Sequence, residues 1–124
     1  MTTPRTIVIL GASANPARYS NMLIRRLKNH ADYQTVPVNP AQDEIEGLPV
    51  APSLNGVGAR PDILTMYVGP AHSAGMAPDI VRLAPRKVIF NPGAENPALE
   101  TALNQAGIET ENACSLVLLS QNAL

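Results

Sequence analysis

The chain has 124 residues, which is the size of one domain, and residues 1–124 are read as a single unit. Hydrophobic residues make up 45% and charged residues 15%, which excludes a disordered tail and requires a packed core. The formal net charge is -1, with no block of Lys or Arg, so nucleic acid is not an expected partner.

No apolar stretch approaches a membrane span, so no membrane partner is expected either. The N-terminal stretch Met1–Thr6 is short and polar and lacks the apolar run of a signal peptide. The one cysteine, Cys114, excludes an intrachain disulfide. The expected compartment is the cytoplasm. With no Trp, one Phe and three Tyr, the core must be built from Ile, Leu, Val, Met and Ala.

Thr6–Leu10 is a continuous aliphatic run, as in a strand buried on both faces, and it stops at Gly11-Ala12-Ser13. A polar turn follows. Met22, Leu23 and Leu27 then recur at helical spacing, which predicts a helix beginning near Arg18 to Ser20. Gln34–Val38 is a second strand, ended by Asn39-Pro40. From Ala41 to Arg60 the pattern is that of a loop, with Gly47–Val50 a candidate short extended piece.

Asp62–Val68 is a third strand, closed by Gly69-Pro70. A helix is expected over Ala71–Leu83, or two short helices meeting near Ala77, because Pro78 interrupts the pattern. Lys87–Phe90 is a fourth strand, ended by Asn91-Pro92-Gly93. Asn96-Pro97 predicts an N-cap and first helical residue, and Gly107 a helix stop. Gly107–Thr110 is read as a fifth strand, Ala113–Leu119 as a terminal helix or strand, and Ser120–Leu124 as a fraying end.

Strand and helix alternate, which predicts an α/β fold: a three-layer, Rossmann-like, doubly wound parallel sheet of about five strands, with the first strand near its centre. In such sheets ligands bind at the carboxyl edge, beside the switch point. Gly11-Ala12-Ser13, Asn39-Pro40, Gly69-Pro70 and Asn91-Pro92-Gly93 all fall on that edge.

The first turn is the leading candidate site. Gly11 permits a tight turn, Ala12 leaves the approach open, and Ser13 and Ser20 add hydroxyls. Backbone amides from Ala12 to Ser20, together with the positive end of the helix, would face a phosphate, and Arg18 could reach a second one. The plainer alternative is an ordinary strand-to-helix turn, since the G-x-G-x-x-G fingerprint is absent. Asn39 stands where NAD-binding domains carry a ribose-binding carboxylate, which argues against a diol-binding NAD site. The turn around Asn91, Pro92 and Gly93 either caps backbone groups or lets a ligand approach at Gly93. Cys114 reads as a packing residue. One Cys with two scattered His gives no metal-ligand spacing, and no nucleophile motif is present, so neither catalytic nor metal residues are assigned.

These stretches together resemble the small stand-alone CoA-binding proteins, which are similar to the CoA-binding domain of the succinyl-CoA synthetase alpha subunit. The resemblance runs through Val8–Pro16 with Tyr19-Ser20, Val36–Pro40, Glu44–Val50 with Ser53-Leu54, Phe90–Asn96 and Ala113-Cys114. It implies coenzyme A as the cofactor and an adenine-bearing small molecule as the partner. With the strand-end reading above, the expected cofactor site comprises Gly11, Ala12, Ser13, Asn15, Arg18, Tyr19, Ser20, Asn39, Pro40, Gly69, Pro70, Asn91, Pro92 and Gly93. The chain departs from the family at Ala41-Gln42, where a lysine is common, and at Met66–Pro70.

The function expected is CoA or acyl-CoA binding without chemistry of its own. The alternatives are a Rossmann-type interaction protein with a vestigial site, or an NAD(P)-binding enzyme. A homodimer is expected through the apolar run Leu116–Leu119, unless that run docks on its own sheet.

Overall fold

The structure is a computed structural model that describes residues 3–58 and 60–124. Five parallel strands form one sheet: β1 (Arg5–Leu10), β2 (Tyr33–Val38), β5 (Ile63–Met66), β6 (Lys87–Phe90) and β7 (Glu109–Asn112). Between β2 and β5, β3 (Glu44–Ile45) and β4 (Leu48–Pro49) make a small antiparallel hairpin, followed by one turn of 3-10 helix at Leu54–Gly56. The hairpin turns at Glu46 and Gly47, both at positive φ (51° and 80°), as a two-residue hairpin turn requires. The helices are α1 (Tyr19–Leu27), α2 (Pro70–Ser73), α3 (Ala77–Leu83), α4 (Pro97–Gln105) and α5 (Ser115–Ser120).

The sheet order is β2-β1-β5-β6-β7. Chain order reverses between β1 and β5, so the switch point lies beside β1. The central strand is β5, and β1 lies beside it, near the centre as expected and one place from the edge strand β2. Alternation along β1 explains the three layers. Val8 and Leu10 join a core with Leu64, Ile80, Phe90, Leu99 and Leu103, under α3 and α4. Ile7 and Ile9 join the opposite core with Leu23, Ile24, Leu27 and Leu119, under α1 and α5. From Ile7 to Leu10 both faces of the strand are dry, which is why that stretch is apolar throughout.

The interrupted helix is two helices. Gly75, at φ 83°, separates them, and Pro78 sits in the first turn of α3, where its missing amide costs nothing. Asn96 caps α4, its Oδ1 accepting from the Leu99 amide at 3.1 Å. The last strand begins at Glu109, two residues later than predicted. The cause is the end of α4. The Ile108 amide donates to the Leu103 carbonyl and the Gly107 amide to the Asn104 carbonyl, with Gly107 at φ 83°, so both residues close the helix. The end expected to fray is tied down. Leu124 is 8% exposed, and its carbonyl accepts from the Arg5 guanidinium at 2.7 Å and the Tyr33 hydroxyl at 2.6 Å.

Candidate functional site

The loop after β1 is built around a forced glycine. Gly11 has φ 88°, and a Cβ placed there would lie 2.9 Å from Val68 Cγ1 and 3.2 Å from the Tyr67 carbonyl carbon. The neighbouring strand end, not an open approach, dictates glycine here. The Gly11 and Ala12 amides both donate to the Val38 carbonyl, at 3.3 and 3.2 Å, so the Ala12 amide is not offered outward as predicted. Asn39 locks the same junction: its Nδ2 donates to the Ala12 carbonyl at 2.7 Å, and its Oδ1 accepts from the Ala41 amide at 2.7 Å.

Further along, several amides are taken by the loop itself. Ser13 Oγ accepts from the Asn15 amide, Asn15 Oδ1 from the Ala17 amide, and the Asn15 carbonyl from the Arg18 amide. Side chains of α1 reach back to fix this shape. Buried Asn21 donates to the Ser13 carbonyl at 2.9 Å. Arg25 donates to Asn21 Oδ1 at 2.9 Å and to the Pro16 carbonyl at 2.8 Å. The Asn21 side chain also donates through Nδ2 to Glu46 at 3.3 Å, whose carboxylate stands 4.0 Å from Lys28 Nζ. Sequence reading missed Asn21, Arg25 and Glu46. The i, i+4 spacing of Asn21 and Arg25 was the available signal.

What this leaves is a set of amides with no acceptor among the described residues: Ser13, Ala14, Tyr19, Ser20 and Asn21. The first turn of α1 carries no acidic residue, and Arg25 and Arg26 occupy its last turn. The positive end of the helix is therefore uncompensated where those amides lie. Arg18 is the extended N-cap residue; it is exposed and its side chain has no partner among the described residues. Ser13 is half-buried, whereas Ser20 is buried, against the expectation of an open hydroxyl there.

The other edge loops converge from the right-hand strands. Gly69 precedes α2, its carbonyl accepting from the His72 and Ser73 amides, with exposed Pro70 as the first helical residue. A Cβ at Gly69 would stand 3.9 Å from the Gly93 carbonyl, so the loops after β5 and β6 meet. Gly93 has φ 93° with open space around it, and its amide donates to Glu95 Oε1 at 2.7 Å. Pro92 is exposed.

Asn91 is not a free ligand group. Its Nδ2 donates to Thr65 Oγ1 at 2.6 Å and to the Met66 carbonyl at 2.9 Å, while its Oδ1 accepts from the Ser115 amide at 2.8 Å. Thr65 and Ser115 share a further bond at 2.8 Å. This buried network ties β5, β6 and α5 together beneath the edge.

Two hollows open on the carboxyl edge, one on each side of the sheet. A cleft of about 300 Å³ lies at the switch point, lined among others by Gly11, Val38, Pro40, Leu54, Val68 and His72. A second cavity of about 410 Å³ lies between α1 and α5 and is lined by Tyr19, Tyr67, Asn91, Pro92, Cys114, Leu116 and Val117. Cys114 is thus half-buried at a cavity wall rather than packed in the core. Tyr67 also departs from a simple packing role. Its hydroxyl is buried beside Thr65 and Ser115 without a partner at hydrogen-bond geometry among the described residues. Burial pushes its ionisation well above the ordinary tyrosine range and the nearby Cys114 thiol adds to this, while the Ser115 and Thr65 hydroxyls oppose it.

Of the apolar run Leu116–Leu119, Leu119 is buried, and Leu116 and Leu118 pack on the α1-side core. Only Val117 is largely left outside, at 50% exposure. Among the described residues no group of three or more His, Cys, Asp or Glu side chains could hold a metal ion, and no helix is long and apolar enough to cross a membrane.

A doubly wound parallel sheet with a glycine turn after its first strand and hollows on its carboxyl edge defines a Rossmann-like α/β fold. The chain belongs to the CoA binding domain family, whose profile matches residues 5–120. A Thermus thermophilus structure is 31% identical, with a TM-score of 0.87, over 95% of this chain and 90% of that one. A conserved hypothetical protein from Pyrococcus furiosus is also 31% identical, with a TM-score of 0.80, over 94% and 98%. The dinucleotide-forming acetyl-coenzyme A synthetase 1 of Ca. Korarchaeum cryptofilum, solved with phosphate and ADP, shares the fold at 22% identity and a TM-score of 0.74. This chain spans 90% of itself and 26% of that protein in the match.

Proposed function

We propose that residues 1–124 act as one domain that binds coenzyme A or an acyl-CoA and carries out no chemistry of its own. The observation that carries the reading is the set of unclaimed amides at Ser13, Ala14, Tyr19, Ser20 and Asn21, at a helix end with no acidic residue in its first turn. A diphosphate there would receive several N–H donors and the helix dipole together. Arg18, exposed at the N-cap, supplies the charge-assisted contact. The cleft at the switch point takes the adenine, between Pro40, Leu54 and Val68, with Gly11 at its floor. Asn39 holds the junction beside this cleft through its side chain, while the Asn91 side chain ties Thr65, Met66 and Ser115 together beneath the edge. Gly69, Pro70 and Gly93 lie on the loops after β5 and β6 and do not line this cleft, and Pro92 lines the second hollow.

The cleft beside Gly11 is open, which counts against a vestigial site. The missing carboxylate at Asn39 counts against NAD. Pairing of two copies would have to rest on Tyr19 and Val117, because the rest of the run Leu116–Leu119 already packs on its own domain. The test is calorimetric titration with CoA, with ADP and NADP as comparators. Saturable heat with CoA and a rise in melting temperature are expected. No heat and no shift at millimolar CoA would refute the reading.

A further inference from the structure

The switch-point cleft carries His72 and Asp79 on its walls, polar groups that suit the edge of a purine. The second hollow is different. Its lining of Tyr19, Tyr67, Asn91, Cys114, Leu116 and Val117, with Pro92, contains no group that is charged as Lys, Arg, Asp or Glu would be. Its one amide side chain, Asn91, already makes hydrogen bonds through both ends to Thr65, Met66 and Ser115. The Tyr67 hydroxyl is withdrawn from solvent. What the cavity presents is apolar surface.

Its position matters as much as its lining. Tyr19 is the first residue of α1, so the residue whose amide is free for a phosphate also forms a cavity wall. Tyr19 is 68% exposed and Val117 50% exposed, so two large apolar side chains are held at a cavity mouth rather than buried. Exposed apolar side chains grouped around a concavity mark a place that a ligand covers.

We infer that this cavity takes the acyl end of an acyl-CoA and selects short, uncharged acyl groups over carboxylated ones; this rests on the reading that CoA phosphates sit at the first turn of α1. A thioester is neutral and its alkyl tail gains by leaving water. A terminal carboxylate would lose its hydration and meet no cation among the lining residues, only the phenol hydroxyls of Tyr67 and Tyr19, which carry no charge to offset its own. The volume, about 410 Å³, lies at the low end for small-molecule sites, which suits a short chain and not a long fatty one.

The test is calorimetric titration of the full chain with CoA, butyryl-CoA and succinyl-CoA. Butyryl-CoA is expected to bind roughly ten-fold tighter than CoA, from two or so newly buried methylenes. Succinyl-CoA is expected to bind no tighter than CoA. Val117→Asn, on the half-exposed face of α5, should bring the ratio of butyryl-CoA to CoA affinity towards one. Tyr19→Ser at the opposite rim should do the same, and it serves if the first variant fails to melt cooperatively. Equal affinities for all three ligands, a preference for succinyl-CoA, or an unchanged ratio in both variants would overturn the inference while leaving CoA binding intact. Absence of binding by any of the three would overturn it by removing the CoA reading beneath it.

Discussion

Replacing Gly11 with alanine separates the two reasons a glycine can stand in a ligand loop. At φ 88° an L residue is strained, which costs about 1–2 kcal/mol. The new methyl would also lie 2.9 Å from Val68 Cγ1 and 3.2 Å from the Tyr67 carbonyl carbon, contacts that backbone cannot yield cheaply. Overpacking of this kind costs about 1–3 kcal/mol more. The expected total is about 2–5 kcal/mol, read as a lower midpoint in urea denaturation at unchanged slope. Gly93→Ala is the matched control, with φ 93° and nothing within 4 Å of the added Cβ, so only the backbone cost of about 1–2 kcal/mol applies. If the two variants lose the same stability, the contact with the β5 end is not what fixes Gly11. Loss of CoA binding in Gly11→Ala would then report a blocked phosphate path, and not a displaced strand end.

Arg18→Ala should weaken CoA binding about ten-fold and leave the melting temperature unchanged, because the exposed side chain has no partner among the described residues. An unchanged dissociation constant by calorimetry would remove Arg18 from the site. Asn91→Ala should cost about 2–4 kcal/mol in urea denaturation, since it strands the Ser115 amide and removes the donor to Thr65 Oγ1 in a buried network; a loss below about 1 kcal/mol would deny the network its structural role. Tyr67 and Tyr33 both have ionisation raised by burial in the fold, so their protonated forms favour the folded state. That contribution is present in full below the unfolded tyrosine value of about 10 and is lost as pH rises through the folded values. Tyr67→Phe should therefore make the alkaline fall in stability shallower, and because it removes a hydroxyl without a partner it should cost little at neutral pH. A steeper fall, seen by thermal melts across pH 8 to 11, would contradict the assignment.

The strands and most helices were legible because their causes are local. Thr6–Leu10 is apolar on both faces because both faces are covered, and Asn96-Pro97 is a cap because side chain and ring each satisfy an orphan of the first turn. Gly107 is legible as a helix stop, but it and Ile108 belong to the closing turn of α4 and the strand opens only at Glu109. The C-terminal end depends on distant partners. Nothing in Ser120–Leu124 announces that Arg5 and Tyr33, at the far end of the chain, will hold its last carbonyl.

The edge loops show the same division at the level of chemistry. Their positions follow from strand ends, which the sequence displays. The use of each polar group does not, because an asparagine that binds a ligand and one that ties two loops together have the same local surroundings. Asn39 and Asn91 stand at the ligand edge and are both turned inward, one joining the loops after β1 and β2, the other joining β5, β6 and α5. The amides of Ser13, Ala14, Tyr19, Ser20 and Asn21, by contrast, have no acceptor among the described residues. A site of this kind depends on backbone shape more than on side-chain identity. That is why the resemblance to the family rests on the order and spacing of stretches from Val8 to Cys114 while no single side chain declares the ligand.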